Sequence, residues 1–157
     1  MNITTTCHSW SLKNHKLEHN RQWVTDLHCK AKKDNGEWIW IQTRLDDFLG
    51  NDDGNFVYSL SDPQSNISSS MCNPRLEVTN DGRPILHGNL TTRNAYDQDR
   101  SLDLSKILWN KDSRICLNED VVRVEDNRRR EQARERMLAK IRRNPQLMER
   151  LKRAGKL

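Results

Sequence analysis

The chain has 157 residues, of which 34% are hydrophobic and 31% charged, with a net charge of +5 and a mean hydropathy of −0.98. That length suits one domain with a tail, and the small apolar share limits the core it can bury. No run of about 18 apolar residues exists, which removes a membrane-spanning helix. Met1-Asn2-Ile3-Thr4-Thr5-Thr6-Cys7 has neither the basic start nor the apolar run of a secretory leader, so the expectation is a cytoplasmic or unconventionally secreted protein. From Glu119 onward 13 basic residues face 7 acidic ones, which leaves 14 against 15 in residues 1–118. The basic balance therefore belongs to the tail, and the near-neutral remainder gives no electrostatic footprint for nucleic acid.

In chain order, residues 2–12 read as a first strand carrying Cys7 and Trp10, and 13–22 as a polar insertion. Trp23 to Lys32 is a second strand, and Lys33-Asp34-Asn35-Gly36 a hairpin turn signalled by Asn-Gly. Trp38-Ile39-Trp40-Ile41 is a third strand, apolar on both faces, so that either both are covered or Trp38 and Trp40 line an edge. Leu45, Phe48 and Leu49, at i, i+3 and i+4, make one face of a helical turn. Asn51-Asp52-Asp53-Gly54 then turns the chain into the strand Phe56-Val57-Tyr58. Residues 59–69 form a polar linker with Pro63 as a hinge. A strand from Met71 to Thr79, a turn at Asn80-Asp81-Gly82 and a strand from Pro84 to Arg93 follow, and a polar turn reaches Leu102. The tail holds a charged helix with Ala133, Met137 and Ile141 at i, i+4 and i+8 and Leu138 beside them. Asn144-Pro145 bounds it, and Leu147, Met148, Leu151 and Ala154 mark a second, shorter helix.

One stretch occurs twice. Placing Leu45 on Leu104 brings Phe48, Leu49, Asn51, Asp53 and Phe56 onto Ile107, Leu108, Asn110, Asp112 and Ile115, with one constant offset. The flanks extend the duplication: Cys7, Cys29 and Gly36-Glu37-Trp38 precede the first copy, and Cys72, Ile85 to Leu90 and Leu102-Asp103 the second. Two copies in register argue for a duplicated unit. The expected fold is all-β, with two tandem pseudo-symmetric repeats of three-stranded sheets, hairpins and short helical turns, followed by an α-helical tail. Repeat one covers about 1–58, the linker 59–69 and repeat two 70–118, giving a domain over 1–118 and a basic tail over 119–157.

These spaced elements resemble the cyanovirin-N homology family of small lectins, and its fungal type in particular, over residues 1–117. The resemblance implies a non-enzymatic binder of mannose-rich oligosaccharide or glycoprotein, reading α1,2-linked mannose termini. It implies a disulfide between Cys7 and Cys29, with Leu90 in the partner's place in the second repeat, so that Cys72 and Cys116 are either small buried hydrophobes or a bridge of their own. It also implies strand exchange through 59–69, within a monomer or in a swapped dimer.

A sugar hydroxyl both donates and accepts, so its site needs short polar side chains and backbone amides around a shallow cleft. The resemblance assigns one site to Asn51, Asp53, Ser70, Met71, Thr91, Thr92 and Arg93. It assigns a second to Thr5, Thr6, Lys30, Ala31, Lys32, Asn110 and Asp112. Gly50, Lys30 and Ala31 depart from the family's polar or acidic choices, and Trp109 replaces a small residue. Asn51, Asp53, Asn110 and Asp112 also serve as turn formers, whereas a plain strand has no need of Thr91-Thr92-Arg93.

No catalytic set is present: His8, His15, His19, His28 and His87 show no metal-binding or nucleophile-activating spacing. A calcium loop centred on Gly54 fails because its first and twelfth positions fall on Leu49 and Leu60. Neither metal nor cofactor is expected. Asn2-Ile3-Thr4, Asn66-Ile67-Ser68 and Asn89-Leu90-Thr91 match the glycosylation pattern and, without a leader, read as chance. The alternative function is a scaffold whose repeat domain has lost sugar binding, with the tail contacting a protein, nucleic acid or an acidic surface.

Overall fold

The computed structural model describes residues 1–19, 21–58, 67–144, 146, 149–150 and 153–154. A helical turn, α1 (Ile3–Thr6), leads into a three-stranded antiparallel sheet of β1 (Cys7–Lys16), β2 (Trp23–Lys32) and β3 (Trp38–Arg44). A 3₁₀ turn at Leu45–Asp47 then delivers the hairpin β4 (Leu49–Asn51) and β5 (Phe56–Tyr58). The second half repeats the order. It runs through α2 (Ile67–Ser70), the sheet β6 (Met71–Val78), β7 (Pro84–Thr91) and β8 (Asp97–Asp103), a 3₁₀ turn at Leu104–Lys106, and the hairpin β9 (Leu108–Lys111) and β10 (Arg114–Leu117). Helix α3 (Glu119–Arg143) follows.

The hairpins exchange places. Each 3₁₀ turn packs on its own half, on β2 in the first and β7 in the second, but the hairpin that follows crosses over. Hairpin β4–β5 meets α2 and the end of β7, where Asn51 Nδ2 donates to Thr91 O at 2.8 Å. Hairpin β9–β10 meets α1 and the end of β2, where Asn110 Nδ2 donates to Lys32 O at 2.8 Å. One core results: Leu27, Leu45 and Leu49 share it with Leu86, Leu90, Leu104 and Leu108, each no more than 1% exposed. Neither half holds a closed core of its own, which is how a chain with few apolar residues buries them.

The N-terminal residues differ from the expected strand. Asn2 caps α1 by accepting the Thr4 N–H at 3.0 Å, and the Thr5 and Thr6 hydroxyls donate back to Asn2 O at 3.1 and 2.9 Å. Thr-rich sequence reads as strand from propensity, but a capping Asn ahead of hydroxyl side chains that bond locally favours a turn. Asn2-Ile3-Thr4 is therefore a capping pattern as well as a glycosylation pattern. Strand β1 starts at Cys7 and runs to Lys16, through part of the supposed insertion. The polar stretch before Leu102 is strand β8, paired with β7 from Thr91↔Asp97 to Ile85↔Asp103, although three aspartates give it poor β-propensity. The linker's Pro63 lies outside the described residues, and the last turns of the linker segment form α2.

The register also corrects the cysteine reading. Cys7 pairs with Ala31 and Met71 with Leu90, so the counterpart of Cys7 is Met71, not Cys72. Cys7 and Cys29 are buried free thiols, and the expected bridge between them is not formed. A hydrogen bond between the two thiols holds the pKa of Cys7 below the ordinary thiol value and, with burial, pushes that of Cys29 up. In the second half Gly88, not Leu90, takes the place of Cys29, and the Met71 side chain lies over it: a Cβ on Gly88 would lie 2.5 Å from Met71 Sδ. A methionine over a glycine thus fills the space that two sulfurs fill in the first half. Cys72 is one residue out of phase and exposed, and Cys116 is half-buried, its thiol reaching Trp109 O at 3.6 Å, so neither is a buried core residue and both are free. Gly88→Ala is expected to cost about 1–3 kcal/mol by overpacking, and Met71→Ala to recover part of that loss in the double variant. Chemical denaturation of the four proteins checks the coupling.

The chain divides into two compact units, Met1–Val122 and Arg123–Leu157, so the first turn of α3 belongs with the domain and carries buried Val122. In the second unit Glu125 pairs with Arg128 at 2.8 Å and Arg129 at 3.4 Å, and the Arg128 hydrogen bond holds its carboxyl below the usual range. Of the expected stripe, Ile141 is buried and Met137 is 58% exposed. Pro145, Leu147, Met148 and Leu151 of the expected shorter helix lie outside the described residues. No helix among the described residues is long and apolar enough to cross a membrane.

Candidate functional site

Hairpin exchange builds two related surface sites, each from the turn of one repeat and the strand end of the other. At the first, Asn51 fixes the β4–β5 hairpin with both ends of its amide: Oδ1 accepts the Gly54 N–H at 2.8 Å while Nδ2 donates to Thr91 O. Asp53 and Gly54 adopt positive φ, 51° and 79°, a backbone that Asp and Gly tolerate. That turn aims Asp53 Oδ1 at the Arg93 N–H, 2.9 Å away, and Asp52 Oδ1 at Arg93 Nη2, 3.1 Å away. Arg100 Nε donates to Gly54 O at 3.0 Å from the neighbouring strand and also binds Gln98. A Cβ on Gly54 would meet Thr92 Cγ2 at 2.8 Å, so the glycine permits the close approach of turn to strand.

The second site repeats this plan with one offset throughout. Asn110 Nδ2 donates to Lys32 O and, at 3.3 Å, to Thr6 O, and Asp112 Oδ1 accepts the Asp34 N–H at 3.1 Å. Asp34 and Arg93 therefore correspond. Met1 adds a strap, its ammonium donating to Asn110 O at 3.0 Å and its carbonyl accepting the Asn110 N–H at 3.0 Å. The copies differ at the turn, where Ser113 (φ 61°) replaces Gly54 and Asn110 Oδ1 is left buried without a partner.

These geometries sort the expected site residues. Asn51, Asp53, Thr91, Thr92 and Arg93 come together at one tip, with Ser70 ending α2 beside β4. Thr91 Oγ1 donates to Asp97 Oδ1 at 3.0 Å, Thr92 Oγ1 accepts the Tyr96 N–H at 3.1 Å, and the Arg93 side chain is 78% exposed. Met71 does not belong to this surface, because its side chain is 6% exposed in the core. At the other tip Thr5, Thr6, Asn110 and Asp112 converge, but Asn110 is fully buried and Thr6 nearly so, which makes them internal struts. Lys30 and Lys32 leave this cleft for the outer face of the sheet, over the rings of Trp40 and Trp38; Ala31, between them, is buried.

Sequence reasoning missed Asp52, Asp34, Arg100 and Tyr96. Tyr96 is 72% exposed in the turn that Thr92 closes, and an Asp-Asp-Gly turn facing Thr-Thr-Arg was its available signal.

Comparison with known proteins bears on both fold and site. The family model of the CVNH domain matches residues 4–116. Among solved structures, the CVNH protein of Gibberella zeae superposes with a TM-score of 0.59 at 22% identity, covering 74% of this chain and 96% of its own. That of N. crassa gives 0.57 at 22%, covering 75% and 99%. Microvirin, solved as a complex with mannobiose, gives 0.56 at 22%, covering 74% and 98%. No curated protein matches the chain.

Proposed function

The chain belongs to the CVNH domain family, a family of carbohydrate-binding lectins rather than enzymes, and from that premise we propose that it binds mannose-rich glycans through α1,2-linked mannose termini. The tip where hairpin β4–β5 meets the end of β7 carries the activity. The observation behind this choice is the pairing of Asp53 with the Arg93 backbone and of Asp52 with its guanidinium, which fixes an exposed arginine beside Thr92 over a shallow polar surface. Such a surface supplies directional donors and acceptors already held in place, so less ordering cost falls on a weakly held sugar. The complex of microvirin with mannobiose supports mannose as the ligand class.

The opposite tip lacks this equipment. Asp34 stands where Arg93 stands, Lys30 and Lys32 point elsewhere, and Asn110 is buried, so the protein works with one site per chain. Calorimetric titration of the whole chain with α1,2-linked mannobiose is expected to give weak binding at a stoichiometry of one. Thr92→Ala plus Arg93→Ala should weaken it at least ~10-fold by removing two polar partners. Unchanged affinity in that variant would defeat the assignment.

A further inference from the structure

The outer face of the β1–β2–β3 sheet carries chemistry that neither the fold nor the sugar site accounts for. Trp38 and Trp40 alternate onto it from β3, 41% and 61% exposed. Their register partners on β2 are Lys32 and Lys30, whose ammonium groups sit 6.0 and 5.6 Å from the two ring centres. His8, paired with Lys30 from β1, lies 4.6 Å from the Trp38 ring at a tilt of 52°.

The duplication supplies an internal control. On the second sheet, where β8 pairs with β7 in the same register, the places of Trp38 and Trp40 are taken by Asp97 and Asp99, and those of Lys32 and Lys30 by Thr91 and Asn89. That sheet forms without aromatic or basic residues there, so the tryptophans are not a folding requirement. The charges on the two outer faces are opposed as well. Lys13, Lys30, Lys32 and Arg44 stand against Asp26 on the first, and Arg75 against Glu77, Asp97, Asp99 and Asp103 on the second. Summed over the domain they nearly cancel, which is why composition alone shows no basic footprint.

We propose that the Trp38–Trp40 face binds single-stranded nucleic acid, the indoles stacking bases and Lys30, Lys32 and Lys13 contacting phosphates. Alternate residues of a strand stand about 6.7 Å apart. That is roughly twice the 3.4 Å rise of stacked bases, so a strand stretched by that amount sets one base on each indole. Base–indole stacking is sequence-tolerant and the lysine–phosphate contacts are salt-dependent. A neutral mannoside offers nothing for paired ammonium groups, whereas an unstacked polyanion with planar rings uses both halves of the surface.

The test is a fluorescence-anisotropy titration of the whole chain with a short labelled oligothymidylate. Trp38→Asp plus Trp40→Asp copies what β8 carries in the same register, with folding checked by circular dichroism. The double variant is expected to bind at least ~10-fold more weakly, the tail being present in both proteins. Lys30→Asn plus Lys32→Thr is expected to keep the fold and to lower the slope of log affinity against log salt by about 1.4. If the first variant fails to fold, the second decides. Equal binding and an equal salt slope in the folded variants would overturn the proposal. So would a parent protein that ignores the oligonucleotide, including one that binds a sulfated polysaccharide or anionic vesicles through this face instead.

Discussion

Leu104→Ala is expected to lower the unfolding free energy by about 3 kcal/mol, within the 2–5 kcal/mol range for emptying a fully buried leucine site, and to lower the melting temperature by roughly 10 °C. Leu104 opens the 3₁₀ turn that packs on β7, is 0% exposed, and lies beside Ile107 and Leu108, both in the same core. Leu45, also 0% exposed, holds the equivalent position against β2. Because the shared core contains both, Leu45→Ala should cost nearly as much and unfold the whole domain rather than one half. A single transition in both variants, by denaturant and by heat, fits the exchanged hairpins. Two separated transitions would indicate halves that fold alone. Val124→Ala, at a residue 69% exposed, serves as a control expected to stay within about 0.5 kcal/mol.

Asn110→Ala carries the second large effect, a loss of about 2–3 kcal/mol from leaving the carbonyls of Lys32 and Thr6 without their donor inside the protein. The equivalent Asn51→Ala should cost about half as much, because Asn51 is only half-buried and water can reach the Thr91 carbonyl. The unpartnered Asn110 Oδ1 already costs the native protein something, so Asn110→Ala removes that penalty while adding its own. The order Asn110→Ala above Asn51→Ala is therefore the informative result. A reversed order would mean that the two latches are not built alike.

The duplicated turn was legible because its residues do two jobs at fixed spacing: leucines for the core, and Asn-x-Asp for a left-handed backbone. Strands β2 and β5 were legible from alternation and from the turns that bound them. The exchange of hairpins was not legible, since a hairpin has the same sequence whichever half receives it. Only the bonds from Asn51 to Thr91 and from Asn110 to Lys32 reveal the partner. Strand β8 was hidden by Asp97, Asp99 and Asp103, which a strand tolerates on a solvent-facing side when its neighbour holds the register. The Cys7 counterpart was misplaced because Cys72 sits one residue from Met71, and a slip of one residue turns a side chain to the opposite face. At the tip proposed to bind sugar, Thr92 and Arg93 were readable as residues a plain strand does not need. Met71 and Asn110 were not separable from them, because burial depends on what packs above a residue and not on its neighbours in sequence.

The measurement that bears most directly on the account is an NMR titration of the whole chain with α1,2-linked mannobiose, followed residue by residue. One tip, assembled from both repeats, predicts simultaneous shifts at Asn51 to Gly54 and at Thr91 to Tyr96, with Asp34 and Asp112 unmoved. Shifts confined to one repeat, shifts at Asp34 and Asp112 instead, or none at saturating sugar would contradict it.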